Sequence, residues 1–444
     1  MAAITNRLKR LAHWLLAWGA YWYYGRPSRR LIVIGVTGTK GKSTVCRLIA
    51  SVLEASGARV GLLSTVEFQI ADRRVRNERK MTMLGRGEVH KLLRAMAAAG
   101  CRYAVVETSS EGILQYRHLG LNYDLAVFTN LGTEHSERHG GAANLKRDKG
   151  QMFAALSHHP PKRIAGRTVA TAIIANLNDA AAPYYLNFLA VNHWGFSLAG
   201  EQKFFALADD AKLVEAAIIN AAPTATNFRV AGREFKLSLP GIFNVRNALP
   251  AIAVGRQFGI PDSVIQQGLA AVTAIPGRLE FVNLGQDFSV VVDYAHEPLS
   301  YQALFTTLRS MLSPGGRLIA VIGADGGGRD IAKRKIMGTI AGQQCDALVV
   351  SDVNSFNDDP REIAEMLAAG AREAGKRDGL DLFVIVERRA GIRQAIALAR
   401  PGDIVVLTAK GSEPCICVAG GRQIPWSDRQ AAEELIRERL AGAG

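Results

Sequence analysis

The hydrophobic rhythm of the chain changes several times, and each change marks an element. From residue 31 an unbroken apolar run, LIVIGV, enters a glycine-rich stretch. A helical pattern follows over residues 43–56, and Gly57 ends it. Residues 60–63 read as the next strand, a helix around 88–99 leads into apolar residues 103–106, and 125–128 read as a further strand. Uniformly apolar strands separated by helices predict a mostly parallel sheet covered on both faces. Residues 194–240 break the pattern with short alternating runs, such as 228–239, which predict a small antiparallel extension. Near Pro276-Gly277 the chain restarts. Residues 290–292, 318–322, 347–350, 382–386 and 404–407 read as strands with helices between them, a second domain of Rossmann-like order. The predicted fold class is α/β. A central P-loop domain with a mostly parallel sheet covers 31–275, a Rossmann-like C-terminal domain covers 276–444, and residues 1–30 stand apart.

That first segment has its own character. Residues 11–24, LAHWLLAWGAYWYY, are apolar and rich in Trp and Tyr, with basic residues on both sides. Spanning a bilayer takes roughly 20 apolar residues, so the run is short. A cleaved signal would end on small residues, whereas this run ends on Tyr-Tyr-Gly-Arg-Pro. Aromatic side chains beside cations suit the headgroup region of a membrane. The other reading is a helix packed on its own protein or on a partner.

Composition adds charge to this picture. The 54 basic and 40 acidic residues give +14, and residues 1–30 contribute +6 of it through Arg7, Lys9, Arg10, Arg26, Arg29 and Arg30, with no acid. Such a balance suits an anionic membrane, phosphorylated metabolites or nucleic acid, or is simply a solvated surface. Five scattered cysteines, with Cys415 and Cys417 in C-x-C rather than paired C-x-x-C spacing, predict neither a zinc site nor a disulfide framework, and fit a cytoplasmic protein.

The chemistry begins at GVTGTKGKST, residues 35–44, between a predicted strand and a predicted helix. That context is what a phosphate loop requires. Gly38 and Gly41 let backbone amides turn toward phosphate oxygens, and the helix N-terminus adds its dipole. Lys42 is placed to reach the β- and γ-phosphates and Ser43 to ligate magnesium. The candidate nucleotide-binding run is Gly38, Thr39, Lys40, Gly41, Lys42, Ser43 and Thr44. The spacing departs from G-x-x-x-x-G-K-[ST], because Val36 stands five residues before Gly41.

Further motifs follow in order: ETSSEGILQYR (107–117), TNLGTEHSERHG (129–140), GIFNVRNA (241–248), PGRLE (276–280), VDYAHEP (292–298), GGGRDIAKR (326–334) and TAKGSE (408–413). Together with T-G-T-x-G-K-[ST]-T they resemble the Mur ligase superfamily, which includes folylpolyglutamate synthetases. The closest branch is the one that adds the third residue of the murein peptide. The resemblance implies an ATP- and magnesium-dependent ligase that turns a carboxylate into an acyl phosphate and couples it to an amine. It makes Lys42, Glu107, His135 and Lys149 the catalytic set, with Ser43, Glu107, His135 and Lys149 at the metal. Lys149 matches a lysine that the family carbamylates, which would make it a carboxylate-like ligand; taken alone, it reads as a solvated helix lysine. Asn244 and Asn247 match adenine-side contacts. Arg278, Asp293, Tyr294, His296, Arg329, Asp330, Lys333 and Arg334 match residues that hold the nucleotide when the last domain closes and shields the acyl phosphate. The bland reading of these charges is a surface salt-bridge network.

Donor contacts are implied at Thr82, Ser109, Gln115 and Arg117, and acceptor contacts at Asn354 and Glu413. The implied partners are a muramoyl-peptide-like donor and a free amino acid, with no nucleic acid, acting on a monomer in the cytoplasm, with residues 1–30 reaching the inner face of the membrane. Two departures stand out. Murein ligases usually begin with a domain gripping the donor's uridine diphosphate, and the thirty residues before Leu31 are too few for one. A donor held by its sugar-peptide end, such as a lipid-linked precursor, is one consequence; a folylpolyglutamate-synthetase-like ligase is the nearest rival, and a non-catalytic membrane-associated scaffold a second. The other departure concerns the acceptor. The diaminopimelate-adding branch carries D-N-P-R, whose arginine pairs with the far carboxylate of the amino acid. Here Asn354 is kept but Phe356 stands in the arginine's place, followed by N-D-D-P as in the lysine-adding branch. Arg361 lies close in sequence as a replacement cation.

Overall fold

The computed structural model describes residues 2–79, 81–132, 139–221, 225–328 and 331–442. His135, Arg329 and Asp330 lie outside these described residues. The chain forms two compact units, Met1–Thr273 and Ala274–Gly444.

The first unit is built on one sheet. From edge to edge its strands are Arg233–Leu237, Thr226–Val230, Lys212–Ala221, Asn192–Leu198, Ala172–Asn176, Leu125–Phe128, Ile32–Thr37, Tyr103–Glu107, Val60–Leu63, Glu67–Ile70 and Arg73–Arg76. The centre is parallel, and antiparallel strands extend both edges. The central strands are buried along their whole length, as strands covered on two faces must be. One face packs Val33, Tyr123, Phe128, Met152 and Tyr185. On the other lie the helices Lys42–Ala55, Ile242–Gln257 and Asp262–Ala270. A Cβ on Gly268 would stand 2.6 Å from Val52 Cα, so glycine is what lets two of these helices touch backbone to backbone.

The alternating region differs from the sequence expectation. Asn192–Leu198 and Lys212–Ala221 pair in parallel and continue the main sheet; only Thr226–Val230 and Arg233–Leu237 make the antiparallel extension. The cause is burial: Trp194 donates to Gln257 Oε1 at 2.8 Å beneath the covering helix, so this strand has two inner faces although its sequence is mixed.

The N-terminal segment is the helix Ala2–Tyr23, and one side of it packs on the helix Arg86–Ala98. Ala17 and Tyr21 are buried there. The Tyr21 ring lies against Gly120 and 5.8 Å from the His90 ring, and its hydroxyl accepts from Asn122 Nδ2 at 3.2 Å. His90 and His118 sit around this docking point, and burial pushes each imidazole down to about 4. The unfolded chain takes up these protons near the ordinary value of about 6.5. Between those values the unfolded state binds more protons than the native one, so stability falls as pH falls. We expect a loss between pH about 6.5 and 4 of up to about 3 kcal/mol per imidazole, at about 1.4 kcal/mol per pH unit. Denaturant unfolding of the native chain and of His90→Asn across this window checks it. Equal slopes for the two proteins would show that His90 takes up its proton in the native state as readily as in the unfolded one.

The second unit has strands Glu280–Val282, Ser289–Val292, Ile404–Leu407, Leu318–Ile322, Ala347–Val350 and Leu382–Val384, in that order across the sheet. All pairs are parallel except the first. Arg388 and Asp428 form a bidentate pair with no exposed side-chain surface, at 2.8 and 2.6 Å. Arg388 also donates to Thr408 O at 2.7 Å, and Trp426 Nε1 donates to Asp428 at 2.7 Å. Removing one partner strands a buried charge. Asp428→Ala should therefore cost about 3–5 kcal/mol, read as a lower denaturation midpoint; a loss under about 1 kcal/mol would mean that Arg388 reaches water.

Candidate active site

The strand Ile32–Thr37 ends in the loop 38–41, and the helix Lys42–Ala55 begins at once. Gly41 is left-handed at φ 80°, and a Cβ there would lie 2.3 Å from Asn247 Oδ1. A Cβ on Gly38 would lie 2.0 Å from Thr129 Oγ1. Both positions accept only glycine, because other chain segments close on the loop. The loop is latched from outside: Thr39 N donates to Asn130 O at 2.9 Å, Lys40 N to Asn130 Oδ1 at 2.8 Å, and Thr129 Oγ1 to Lys40 O at 2.7 Å. Gly132 N donates to Thr39 Oγ1 at 2.8 Å. Thr129 and Asn130 belong to TNLG, a motif whose individual residues the sequence reading did not single out. Lys42 Nζ folds over the loop and donates to Thr39 O at 2.9 Å. Ser43 and Thr44 are buried in the first helical turn.

Register carries Glu107 to this loop. Glu107 pairs with Val36, at the carboxyl end of its strand. Its carboxylate is 2% exposed and accepts from Ser43 Oγ at 2.9 Å, Thr65 N at 2.7 Å and Thr65 Oγ1 at 2.9 Å. Thr65 Oγ1 also lies 3.0 Å from Thr82 Oγ1. A hydrogen-bonded line thus runs from the phosphate loop to Thr82. Ser43 and Glu107 are oxygen donors of the kind a magnesium ion takes. Burial, then Glu107, pushes the neighbouring Cys46 thiol well up, which keeps it inert.

Beyond Thr82 stand the other expected donor contacts. Ser109 caps the helix Ser110–Leu114, accepting from Gly112 N at 3.1 Å. Arg117 donates to Gln115 Oε1 at 2.6 Å and to Met83 O. Arg86, absent from the sequence reading, opens the helix Arg86–Ala98. Burial first and the Arg117 charge second push its guanidinium down, and its Nε and Nη2 are buried without a hydrogen-bond partner. A cation in the first turn of a helix opposes the dipole, and that was the signal available in the sequence.

Lys149 lies on the helix Ala142–Ala154, 3% exposed, and donates to Gly38 O at 3.0 Å. It is not a solvated surface lysine. Beside it, Asp148 and His139 pair at 2.6 Å. Asn244 and Asn247 share one helix; Asn247 Nδ2 donates to Asn244 Oδ1 at 3.1 Å, and Asn244 Nδ2 to Pro240 O at 2.7 Å. Of this pair it is Asn247 that closes on the phosphate loop.

In the second unit the expected residues gather beyond the carboxyl ends of the parallel strands, where open α/β sheets bind ligands. Asn354 Nδ2 donates to Asp325 Oδ1 at 2.8 Å and to Glu413 Oε2 at 3.1 Å. Lys410, fully buried and not singled out from sequence, gives its ammonium to Glu413 Oε2 at 2.7 Å, Asn354 Oδ1 at 3.1 Å and Cys415 O at 2.6 Å. Tyr294 OH donates to Glu413 Oε1 at 3.2 Å. Glu413 is thus held by Lys410, Asn354 and Tyr294, and its carboxylate still has lone pairs to share. Arg278 lies 4.4 Å over the Tyr294 ring, and burial, followed by Glu413, raises the Tyr294 hydroxyl well above its usual range. Asp293 accepts from Leu279 N and Ala295 N, each at 2.7 Å. His296 Nδ1 donates to Tyr294 O at 2.6 Å. Lys333 pairs with Glu297, and Arg334 donates to Asp325 O at 3.0 Å. Phe356 is left-handed at φ 53°, and its amide donates to Cys417 O at 3.0 Å.

A glycine loop joining strand to helix, with a serine and a carboxylate at its mouth and a second Rossmann-like unit, defines a nucleotide-dependent enzyme. The Mur ligase middle domain matches residues 36–255, and the Mur ligase, glutamate ligase domain matches residues 277–411. A UDP-N-acetylmuramyl-tripeptide synthetase of Roseiflexus sp. (strain RS-1) is 38% identical over 432 residues, covering 94% of this chain and 80% of that protein. A UDP-N-acetylmuramoyl-L-alanyl-D-glutamate–2,6-diaminopimelate ligase of Syntrophomonas wolfei is 31% identical over 422 residues, covering 94% and 81%. The solved structure of such a diaminopimelate ligase superposes with a TM-score of 0.60 at 26% identity, over 92% of this chain and 79% of that one. Folylpolyglutamate synthase of Mycobacterium tuberculosis, at 18% identity and TM-score 0.62 over 90% and 96%, shares the fold alone. The chain belongs to the Mur ligase family. It is an ATP-dependent amide-forming ligase.

Proposed function

We propose that this chain adds an amino acid to a muramoyl-peptide carboxylate in peptidoglycan synthesis, and that the acceptor lacks a second carboxylate, as lysine does. The observation that carries the reading is the line Ser43–Glu107–Thr65–Thr82, which ties the phosphate loop to the donor residues. The donor's anionic groups meet Arg117 and the unpaired Arg86, with Ser109 and Gln115 beside them. The donor carboxylate attacks the γ-phosphate of ATP, the bond from the γ-phosphorus to the β–γ bridging oxygen breaks, and ADP leaves the acyl phosphate behind. Lys42 and the loop amides stabilise the charge that develops, by position and electrostatics rather than by covalent chemistry. Magnesium would be held by Ser43 and Glu107, with His135 and, if carbamylated, Lys149 completing the set, and would neutralise the clustered phosphates. The amine then attacks the acyl phosphate, the C–N bond forms, phosphate leaves and the amine loses a proton.

Incubation with ATP, magnesium, a uridine-linked muramoyl dipeptide and a mixture of amino acids, followed by mass spectrometry, tests this. Product with a tetrahydrofolate and glutamate in place of the muramoyl donor would overturn the donor class. The acceptor is tested by competition at equal concentration. Phe356 supplies no planar fork for a far carboxylate. Lysine should therefore exceed diaminopimelate in kcat/KM by on the order of 10-fold or more, the cost of one missing charge-assisted pair. Preference for diaminopimelate would assign the missing role to another cation, with Arg361 the first to replace.

A further inference from the structure

We propose that the solvent-facing side of the N-terminal helix is a docking surface for an anionic lipid bilayer. The helix Ala2–Tyr23 has two apolar faces between residues 11 and 23, and His13 is the single polar interruption. One face is used: Ala17 and Tyr21 are buried against the protein. Leu11, Leu15 and Trp22, spaced by four and seven residues, share the opposite side, with Leu16 and Tyr23 flanking them. These five side chains are 55–78% exposed, and Trp14 at the margin is 44% exposed. A helix that is apolar all round is normally covered all round.

Charge and length decide what covers it. Arg7, Lys9 and Arg10 precede the apolar stretch, Arg26, Arg29 and Arg30 follow it, and no acidic residue interrupts them. Arg26, Arg29 and Arg30 are exposed, and the Arg26 guanidinium stacks 4.9 Å over the Trp22 ring. An apolar protein partner would not need a cation at each end; a headgroup layer over acyl chains matches both. Among the described residues no helix is long and apolar enough to cross a membrane. The thirteen residues 11–23 extend only about 20 Å at 1.5 Å per residue, against a hydrocarbon core of about 30 Å. The helix therefore lies in the interface, with Tyr21 as its bolt to the enzyme. Because Tyr21 packs on Gly120, three residues past Arg117, docking holds the donor residues of the same unit near the lipid surface.

The full chain is sedimented with vesicles of phosphatidylcholine, with and without phosphatidylglycerol. Trp14, Trp18 and Trp22, three of the five tryptophans, report insertion through a blue-shifted emission. We expect binding to anionic vesicles, weakened by salt. Arg29→Gln with Arg30→Gln should lower partition on the order of 10-fold. Leu11→Glu, Leu15→Glu and Trp22→Glu together should abolish it, and these exposed changes leave ATP-dependent turnover of soluble substrate intact. A native chain that stays in the supernatant, or binds neutral and anionic vesicles alike, overturns the proposal. So does a native chain that self-associates without lipid and ignores vesicles while the triple variant is monomeric; the face would then join two copies.

Discussion

Lys42→Ala leaves the first unit folded and lowers ATP-dependent ligation on the order of 10³-fold or more, the scale for removing a preorganised charge from a developing anion. The expectation comes from how the loop is held. Among the described residues, the hydrogen bond that the Lys42 ammonium makes to the loop is the one to Thr39 O. The loop's shape rests instead on Asn130, Thr129 and Gly132, which the substitution does not touch. Ala is also a good first-turn helix residue. Charge is therefore lost without architecture. Phosphate release coupled to product formation, with circular dichroism and a denaturation midpoint as fold controls, reads the effect. A folded variant with near-native turnover would remove the loop from the reaction. Lys42→Arg keeps the charge but changes its reach, and should recover only part of the loss.

The contrast between what the sequence discloses and what it conceals follows from the kind of interaction involved. Val60–Leu63, Leu125–Phe128, Leu318–Ile322, Ala347–Val350 and Ile404–Leu407 are legible residue by residue, because a parallel strand covered on both faces has no reason to carry a polar side chain. The strand Asn192–Leu198 has the same environment but carries His193, Ser197 and a capped Trp194, so its pattern misleads. The loop 38–41 is legible because glycine is imposed by contacts under 2.5 Å at Gly38 and Gly41. Pairings set by tertiary approach leave no such trace. Arg388 and Asp428 are forty residues apart, and Lys410 neutralises Glu413 through a turn rather than a periodic face. The same is true of Arg86, whose neighbour Arg117 is brought to it by the fold. The N-terminal helix shows both sides of this. Its apolar character is plain in the letters, but which face meets the enzyme depends on Gly120 and Asn122, a hundred residues away.

Lys149→Ala should lower turnover on the order of 100-fold or more, and the way activity is restored identifies what the side chain supplies. Lys149 is buried, and its Nζ donates to the carbonyl of Gly38, the first glycine of the loop. Two chemistries fit that contact. As an ammonium, Lys149 would pin the loop and add positive charge beside the phosphates. As a carbamate, formed when the neutral amine attacks carbon dioxide and releases a proton, the nitrogen keeps one N–H. That N–H can still donate to Gly38 O while the new carboxylate faces the metal. The two forms differ by two units of charge, so small-molecule rescue separates them. Acetate or formate should restore part of the turnover of Lys149→Ala if the group is a carbamate, and the restored fraction should rise with magnesium. Ethylamine should restore it if the group is an ammonium, without that magnesium dependence. Lys149→Met, which fills the space but offers neither charge, should match the alanine variant in turnover and exceed it in stability. Full activity of Lys149→Ala without additives would reduce Lys149 to a packing residue of its helix.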